Sequence, residues 1–390
     1  MSYFLFPSIN YIINPQQLVV QTQQEFEPKT VISRSLRNYV FALKLNIDNI
    51  SFEWDIYKKY TNPYEYIHTI VPGTKTSISK LNPISRSFYK LIEIYNILYL
   101  FHELPQNLKS FHLAEGPGGF IEAMTFLRNN LNDTYYGMTL IDSDTSVPGW
   151  RKSEDLLTLN KNIILEKGID GTGNLFNWNN LMHCYNLYAS SMDFITGDGG
   201  IDYSIDFNRQ ETSSVKLIIS QIAYAIAMQK KGGTFVLKIF DVFTQITMDI
   251  LYLLSNLYTT IHMIKPFTSR YANSERYVVC KDFRLQDPAP FLQKFKDIFN
   301  VINSDKIISR ILAIDIPYIF LNKLEECNIV FGQQQIENIS NTLSLIKETK
   351  KDKIDSLRKH NIQKCIIWCQ KNKIPYNKTS QSLNIFLASR

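Results

Sequence analysis

The stretch FHLAEGPGGFIEAM, residues 111–124, decides the fold. A short apolar run leads into a turn with Pro117 and the pair Gly118–Gly119, and apolar residues with helical spacing follow from Phe120 to Leu127. A strand, a glycine-rich turn and a helix in this order are typical of an open α/β sheet. There the glycines let the chain approach a ligand, and the free amides of the helix start point into the crevice. We therefore expect a ligand site at this turn.

Seven strand-like runs lie in the middle of the chain, and segments with a helical period separate most of them. The runs occupy residues 110–114, 135–140, 162–166, 192–197, 233–240, 260–265 and 276–280. Strands that alternate with helices predict an α/β, Rossmann-like fold. We expect a doubly wound, mostly parallel sheet of seven strands with helices on both faces.

Helix-like sequence flanks this region on both sides. It predicts an N-terminal helical extension (1–80), the α/β domain (81–285) and a basic, mostly helical C-terminal extension (286–390). Between Lys347 and Lys373 there are nine Lys or Arg residues and three Asp or Glu residues, so this segment carries the formal net charge of the whole chain, +6. It is a candidate phosphate contact, and a solvated helix face is an equally good interpretation.

Composition and cysteine usage exclude several classes of protein. The first residues lack a basic leader, and no apolar run approaches the roughly 18 residues of a membrane span, so we expect neither secretion nor a membrane anchor. The five cysteines are an odd number, and the close pair Cys365 and Cys369 lacks the further ligands of a zinc site. None of the six histidines has a metal-ligand spacing. We predict a reducing compartment and no metal.

Four charged residues lie where a parallel sheet opens its crevice. Asp198 follows the run FITG, Lys238 interrupts GTFVLKIF, Glu275 precedes the last run, and Lys90 lies on a helix before the glycine turn. Each also has an ordinary explanation: a turn residue for Asp198, an edge-strand lysine for Lys238, and surface charge for the other two. A buried lysine is costly unless it is paired or functional, so Lys238 is the most informative of the four.

Longer motifs around these residues resemble a known family. They include AEGPGGF (114–120), GGTFVLKIFDVFT (232–244) and KPFTSRYANSERYVVCK (265–281). From about Asn62 to Phe283 the chain resembles the FtsJ-like RNA ribose 2′-O-methyltransferases, and among them the cap-specific mRNA enzymes that make cap 1. The resemblance implies a Rossmann-like methyltransferase that uses S-adenosyl-L-methionine and acts on capped mRNA.

The resemblance also implies roles for individual residues. Lys90, Asp198, Lys238 and Glu275 match the catalytic tetrad of the family. The positions that match its cofactor-binding residues are Ser85, Ala114, Glu115, Gly116, Pro117, Gly118, Gly119, Phe120, Asn174, Leu175 and Asp198. The positions that match substrate contacts near the reacting nucleotides are Asn208, Gln210 and Asn273.

The chain departs from the family pattern at several positions. His112 stands where the family often has an acid, Glu115 where it has alanine or glycine, and Asn174 where it usually has aspartate. The longer basic stretch that contacts the cap in the family is reduced here to Lys58 and Lys59. Cofactor contacts are therefore mostly retained, whereas cap recognition differs in detail.

Methyl transfer to a ribose hydroxyl explains why such residues are needed. The reaction is an in-line displacement, and holding two reactants ready removes roughly 7–11 kcal/mol of barrier. The hydroxyl loses its proton as it attacks, and we predict Lys238, kept partly neutral by burial and by Lys90, as the acceptor. Asp198 would hold Lys238 and the ribose in register, while Glu275 and Lys90 would orient the hydroxyl from the other side.

A substrate with a 2′-hydroxyl is RNA rather than DNA. Aromatic residues that lie beside Lys58 and Lys59 are Trp54, Tyr60, Tyr64 and Tyr66. Such a patch is able to stack a base or a methylated guanine cap while its lysines meet phosphates. Alternation of surface and core positions is the more common explanation of this pattern. His68 is a weaker candidate for the same role.

Other interpretations stay open on the sequence alone. They are 2′-O-methylation of ribosomal or small nuclear RNA, a catalytically silent RNA-binding subunit, and an oxidoreductase, which the E-G-P-G-G turn disfavours because it lacks G-x-G-x-x-G. Other capping or transcription proteins are candidate partners. The richness in Ile, Asn and Tyr is compatible with a large cytoplasmic DNA virus, which predicts the host cytoplasm, whereas a cellular origin predicts the nucleus.

Overall fold

In a computed structural model of the chain, strands and helices alternate over the described residues, which are 3–24, 29–48, 50–144, 147–200, 207–348 and 350–377. The strands are β1 (Tyr3–Leu5), β2 (Leu18–Gln23), β3 (Lys109–Leu113), β4 (Thr134–Met138), β5 (Ile163–Glu166), β6 (Met192–Gly197), β7 (Gln229–Ile239), β8 (Tyr258–Ile264), β9 (Arg276–Phe283) and β10 (Ile307–Leu312). The α-helices are α1 (Arg34–Asp48), α2 (Ser51–Thr61), α3 (Ser87–Ile97), α4 (Gly119–Arg128), α5 (Glu154–Leu159), α6 (Trp178–Tyr188), α7 (Gln210–Met228), α8 (Gln245–Leu257), α9 (Ala289–Ile302), α10 (Tyr318–Glu348) and α11 (Lys351–Lys371).

Eight of the described strands form one sheet in the order β1-β8-β9-β7-β6-β3-β4-β5. The neighbours from β5 to β7 pair in parallel. Strand β9 lies antiparallel to β7 and β8, and β1 lies antiparallel to β8. The parallel strands read as continuous apolar runs because both faces of the sheet are covered.

Helices cover the sheet on both faces. Helices α7, α8 and α9 contribute to one apolar cluster, and α3, α4 and α11 contribute to another. Val236 and Leu237, neighbours on β7, are both fully buried and enter different clusters, because successive side chains of a strand point to opposite faces. The predicted α/β class, with a mostly parallel sheet between layers of helices, is confirmed.

The sheet contains one strand more than the seven that the sequence predicts. The seven predicted runs form β3 to β9, and the additional strand, β1, comes from the segment predicted to be a helical extension. Three residues pair with β8, and Phe4 among them packs on Phe331 of α10 with ring centroids 5.4 Å apart. Such a short strand depends on its distant partners, which the local sequence pattern does not reveal.

Both extensions contain strands as well as helices, because β2 pairs with β10 in a separate two-stranded sheet. Helices α10 and α11 pack against α2, and the Asn361 side chain of α11 donates to the Tyr60 carbonyl at 2.7 Å. Trp368 of α11 is buried, whereas Lys353 and Lys359 on the same helix are exposed. The basic C-terminal segment is thus a helix with one packed face and one charged face.

Two further findings concern the described part of the chain. No helix in it has the length and apolar character needed to cross a lipid bilayer. Its five cysteines are buried and unpaired, and no group of three or more His, Cys, Asp or Glu side chains within it is arranged to hold a metal ion.

Candidate active site

The four charged residues singled out in the sequence come together at one edge of the sheet. Strand β9 runs antiparallel to β7, with Tyr277 opposite Lys238. The start of β9 therefore lies beside the end of β7, and this brings Glu275 toward Lys238. Asp198 directly follows the neighbouring parallel strand β6, and Lys90 lies near the start of α3.

Lys90 and Glu275 form a buried ion pair. The Lys90 Nζ lies 2.7 Å from Glu275 Oε1 and donates to Oε2 at 2.8 Å. Burial alone would raise the pKa of Glu275, but Lys90 and Lys238 together with a hydrogen bond from Ser269 lower it. Burial lowers the pKa of Lys90, and the Glu275 carboxylate opposes that shift. Glu275 is therefore a carboxylate at neutral pH and fixes the Lys90 amine.

Lys238 and Asp198 form a second pair beside the first. The Lys238 Nζ donates to the main-chain carbonyl of Asp198 at 2.7 Å and lies 3.2 Å from its Oδ1. The Tyr277 hydroxyl donates to the same Oδ1 at 2.8 Å. A Cβ atom at Gly200 would come within 3.4 Å of the Lys238 Nζ, so glycine at that position leaves space in front of the amine.

The glycine turn between β3 and α4 has the sharp geometry that its sequence predicts. Ala114 and Gly118 have φ values of 52° and 108°, and both lie in the left-handed region that favours glycine. A Cβ atom at Gly119 would lie 2.2 Å from the Ser85 Oγ and 2.1 Å from the Ser87 Oγ. Close approach of α3 to the start of α4 therefore requires glycine there.

Glu115 gives this turn a buried carboxylate. Its Oε1 accepts hydrogen bonds from the amides of Phe120 at 2.5 Å and Ile121 at 3.2 Å, which stabilises the start of α4. Its Oε2 is buried and accepts no hydrogen bond from the described residues. Burial raises the pKa of Glu115 well above its usual range, and the nearby Asp198 carboxylate adds to the shift. A cationic ligand amine that donates to Oε2 would oppose this shift and favour the charged carboxylate.

A cavity of about 600 Å³ opens beside the glycine turn. Predicted residues that line it are Ser85, Lys90, Ala114, Glu115, Gly116, Pro117, Asn174, Leu175, Asp198 and Lys238. Residues that line it without having been predicted are Arg86, Ser87, Thr139, Leu140, Val147, Pro148, Gly173, Phe176, Gly200 and Leu217. The predicted cofactor contacts Gly118, Gly119 and Phe120 are not in its wall. They shape the turn and the buried start of α4 instead.

Two of the three predicted substrate contacts are tied to the segment that carries Glu275. The Asn273 Oδ1 accepts a hydrogen bond from Lys265 at 3.0 Å. The Gln210 Oε1 accepts one from the Ser274 hydroxyl at 2.8 Å, which links the start of α7 to the start of β9. Asn208 is partly buried two residues before Gln210.

The predicted cap contacts lie elsewhere. Lys58 pairs with Asp55 on α2, Lys59 is exposed on the same helix, and His68 is exposed; none of the three lines the cavity. Of the four aromatic residues in this patch, two belong to the core, because Trp54 is 8% exposed and Tyr66 is 1% exposed. These two rings therefore fit the alternation of surface and core positions rather than a base-stacking surface.

Sequence reasoning did not single out three residues that shape the site: Arg86, Lys265 and Tyr277. A usable signal existed for Tyr277, because it lies two residues after Glu275 and alternation in a strand places both on one face. Arg86 donates to the Thr268 carbonyl at 2.7 Å. No local pattern predicts that contact, because its two residues are distant in the chain. The contacts of Lys265 are not predicted either, because its partners are mainly main-chain atoms.

The chain is similar to a known protein family and to several curated proteins. Residues 83–283 match the family described as FtsJ-like methyltransferase. The cap-specific mRNA (nucleoside-2'-O-)-methyltransferase 1 of Dictyostelium discoideum is 27% identical over 317 residues, which cover 76% of this chain and 41% of that protein.

Two proteins of the same name from trypanosomatids are also similar to the chain. The one from Trypanosoma cruzi (strain CL Brener) is 36% identical over 196 residues, covering 49% of this chain and 52% of that protein. The one from Leishmania braziliensis is 31% identical over 268 residues, covering 64% of this chain and 63% of that protein. The chain thus spans about half the length of these curated relatives.

Proposed function

The chain belongs to the FtsJ-like methyltransferase family, and from that membership we propose that it methylates the ribose 2′-hydroxyl of the first transcribed nucleotide of capped mRNA. This reaction converts cap 0 to cap 1. The observation that supports it most directly is the meeting of the Lys90–Glu275 and Lys238–Asp198 pairs at the edge of the cavity. Two amines and two carboxylates in this arrangement suit the activation of a weakly acidic hydroxyl.

The cavity fits S-adenosylmethionine as the methyl donor. Its volume lies within the roughly 300–1,000 Å³ of small-molecule sites, and Glu115 offers a buried carboxylate oxygen to an amine of the ligand. Ser85, Asn174 and Leu175 would hold the donor along with the main chain at Gly116. When bound, S-adenosylmethionine supplies a methyl carbon attached to a sulfonium leaving group.

Lys238 would take the proton of the ribose hydroxyl at its Nζ. Its hydrogen bond to the Asp198 carbonyl fixes the direction of the amine. Lys90 lies close enough for the two lysines to disfavour each other's charge, which favours a neutral amine at one of them. Glu275 holds Lys90 so that its N–H groups would orient the hydroxyl from the other side.

The cap assignment rests on the names of the relatives and on the need for a 2′-hydroxyl, which DNA lacks. Asn208, Gln210 and Asn273 would contact the nucleotides at the reacting end. The contacts proposed for the cap or its phosphates outside the cavity are Lys58, Lys59 and His68. Methylation would take place where capped transcripts are made, in the host cytoplasm for a viral protein and in the nucleus for a cellular one.

The test uses the full chain, labelled S-adenosylmethionine and three short RNAs of one sequence. The first carries a methylated guanosine cap, the second ends in a triphosphate, and the third is capped but already bears a 2′-O-methyl group on its first nucleotide. We expect methyl incorporation into the first RNA alone, with cap 1 released by nuclease digestion. Equal labelling of the first two would reject the cap, and labelling of the third would move the reaction to another nucleotide.

The same assay separates the remaining alternatives. A methyltransferase of ribosomal or small nuclear RNA would label fragments of those RNAs and leave the capped RNA unlabelled. A catalytically silent subunit would label none of them while still binding S-adenosylhomocysteine, measured by calorimetry.

A further inference from the structure

The connection from β8 to β9 carries Glu275 and Asn273, and it begins with a buried lysine. Lys265 directly follows β8 and is 4% exposed. Its Nζ donates to the Asn273 carbonyl at 2.7 Å, to the Asn273 Oδ1 at 3.0 Å and to the Glu275 carbonyl at 2.8 Å. One amine therefore joins the first residue of the connection to the residues at its end.

The number of donors on Lys265 matches the number of acceptors around it. An ammonium group has three N–H donors and no acceptor, and three oxygens surround this one. Burial lowers the pKa of Lys265 to about 7, while the Glu275 carboxylate opposes the shift. The third N–H is therefore present at slightly acidic pH. Removing the amine would leave two main-chain carbonyls without this donor, which would weaken the placement of the chain around Asn273 and Glu275.

Other contacts hold the connection at its middle. The Glu93 carboxylate accepts from the amides of Phe267 and Thr268, and Gln335 of α10 donates to the Ala272 carbonyl. Lys265 lies closer to the proposed catalytic residues, because it donates to the main-chain carbonyl of Glu275, whose side chain pairs with Lys90. A shift of this carbonyl would move the carboxylate and the Lys90 amine together.

We propose that Lys265 is a positioning residue for methyl transfer, which sets the place of Glu275 and, through it, of Lys90. This inference rests on the proposed function, because the effect it predicts is on the rate of methyl transfer. Lys265 does not line the cavity. It therefore acts on the substrate through other residues rather than by contact.

The test compares Lys265→Met with the unchanged enzyme at about pH 6, where the amine is charged. We expect the single-turnover rate on capped RNA to fall by about 100-fold, as for a misplacement of about 1 Å. Binding of S-adenosylhomocysteine should stay unchanged in calorimetry. Lys265→Gln, which keeps an N–H donor, should recover part of the rate. Should the Met variant fail to fold, the Gln variant carries the comparison.

A double-mutant cycle shows whether Lys265 acts through Glu275. If it does, Lys265→Met adds less than about threefold to the loss caused by Glu275→Gln. If the two rate losses multiply in the double variant, the proposal is overturned. Hydrogen exchange over residues 266–275 should speed up in Lys265→Met, and this readout needs no activity. Unchanged exchange would also overturn it.

Lys281→Met is the matched control, because Lys281 lies on β9, the strand into which the connection leads. Lys281 also donates to a main-chain carbonyl, that of Leu98, and pairs with Glu103, but at the far end of β9. The single-turnover rate of the Lys281→Met variant should stay within about twofold of that of the unchanged enzyme. No transfer by the unchanged enzyme would reject the proposed function. An active enzyme whose Lys265→Met variant is equally fast would reject the positioning role alone.

Discussion

Lys90 and Lys238 carry the same amine but have different partners. Lys90 pairs with the Glu275 carboxylate through two contacts below 3 Å. Lys238 donates to a main-chain carbonyl and lies farther from the Asp198 carboxylate, at 3.2 Å. A close carboxylate stabilises the charged form of an amine more than a carbonyl dipole does. The different partners of the two amines are the basis for proposing Lys238, rather than Lys90, as the proton acceptor.

Replacing Lys238 tests this assignment. Lys238→Ala should slow single-turnover methyl transfer by about 10²- to 10⁴-fold, the usual contribution of a general base. Binding of S-adenosylhomocysteine, measured by calorimetry, should persist. Lys230→Ala is the control, because Lys230 lies on the same strand, pairs with Asp193 and is mostly exposed. A rate for Lys238→Ala close to that of the control would show that another group accepts the proton.

Single residues were predictable where a charge interrupts an apolar pattern. Lys238 interrupts the apolar run near the end of β7, and Asp198 directly follows the apolar strand β6. The sequence does not reveal which partner neutralises each charge, because Glu275 lies 185 positions from Lys90. Lys265 was missed for a different reason, since its acceptors are mainly main-chain oxygens that every residue possesses.

Helix α3 is fastened to the β8–β9 connection at two places one turn apart. Lys90 pairs with Glu275, and Glu93 accepts hydrogen bonds from Phe267 at 2.7 Å and from the amide and hydroxyl of Thr268 at 3.1 and 3.0 Å. Residues three positions apart share one face of a helix, so both side chains reach the same connection.

The pH dependence of stability tests the Glu93 contact. Burial raises the pKa of Glu93 from its ordinary 4.5 to about 7, against the hydrogen bonds from Phe267 and Thr268. The contribution of Glu93 to stability is therefore complete below pH 4.5 and is lost as the pH rises through 7. Between about pH 5 and pH 8, the free energy of unfolding of the unchanged protein should fall by on the order of 3 kcal/mol relative to that of Glu93→Gln. Urea titrations of both proteins measure this difference, and a constant difference would contradict it.

Elements were predictable where a continuous apolar run marks them. The seven strands from β3 to β9 carry apolar runs that identify them. Strands β1, β2 and β10 were missed, because they are partly exposed and paired with distant segments. Pairing of this kind depends on the neighbours of a strand rather than on its own residues.

Contacts from both extensions reach the strands that carry the site. The fully buried Arg276, next to Glu275, lies 3.6 Å from Asp241 and donates to Asn328 of α10 at 3.1 Å. Asp241 also accepts from Lys44 of α1 at 3.4 Å. This network joins the start of β9, the segment after β7 and both extensions into one buried unit.

Arg276→Met tests whether the molecule depends on that network. Removing one partner of a buried ion pair costs about 3–5 kcal/mol, and we expect this loss in the free energy of unfolding, measured by denaturant titration. Unfolding should remain one transition, because the network crosses all parts of the chain. The exposed Arg151→Met should change stability by less than about 0.5 kcal/mol. Separate transitions, or a loss no greater than that of the control, would show that the extensions are independent of the sheet.

The arrangement of the whole molecule was the least predictable from sequence. The C-terminal extension reads as a basic appendage, yet Gln335 of α10 holds the Ala272 carbonyl close to Asn273. Its exposed lysines dominate the composition, whereas the few buried polar residues that make these contacts carry no distinctive pattern.

The two outermost strands of the large sheet, β1 and β5, have three and four residues. Unpaired main-chain groups on a border strand are a template on which another polypeptide can add itself and begin aggregation. Here each border offers few such groups, and Pro7 shortly after β1 has no amide hydrogen to add to them. Short borders of this kind leave little template for edge-to-edge association at the flanks of the sheet.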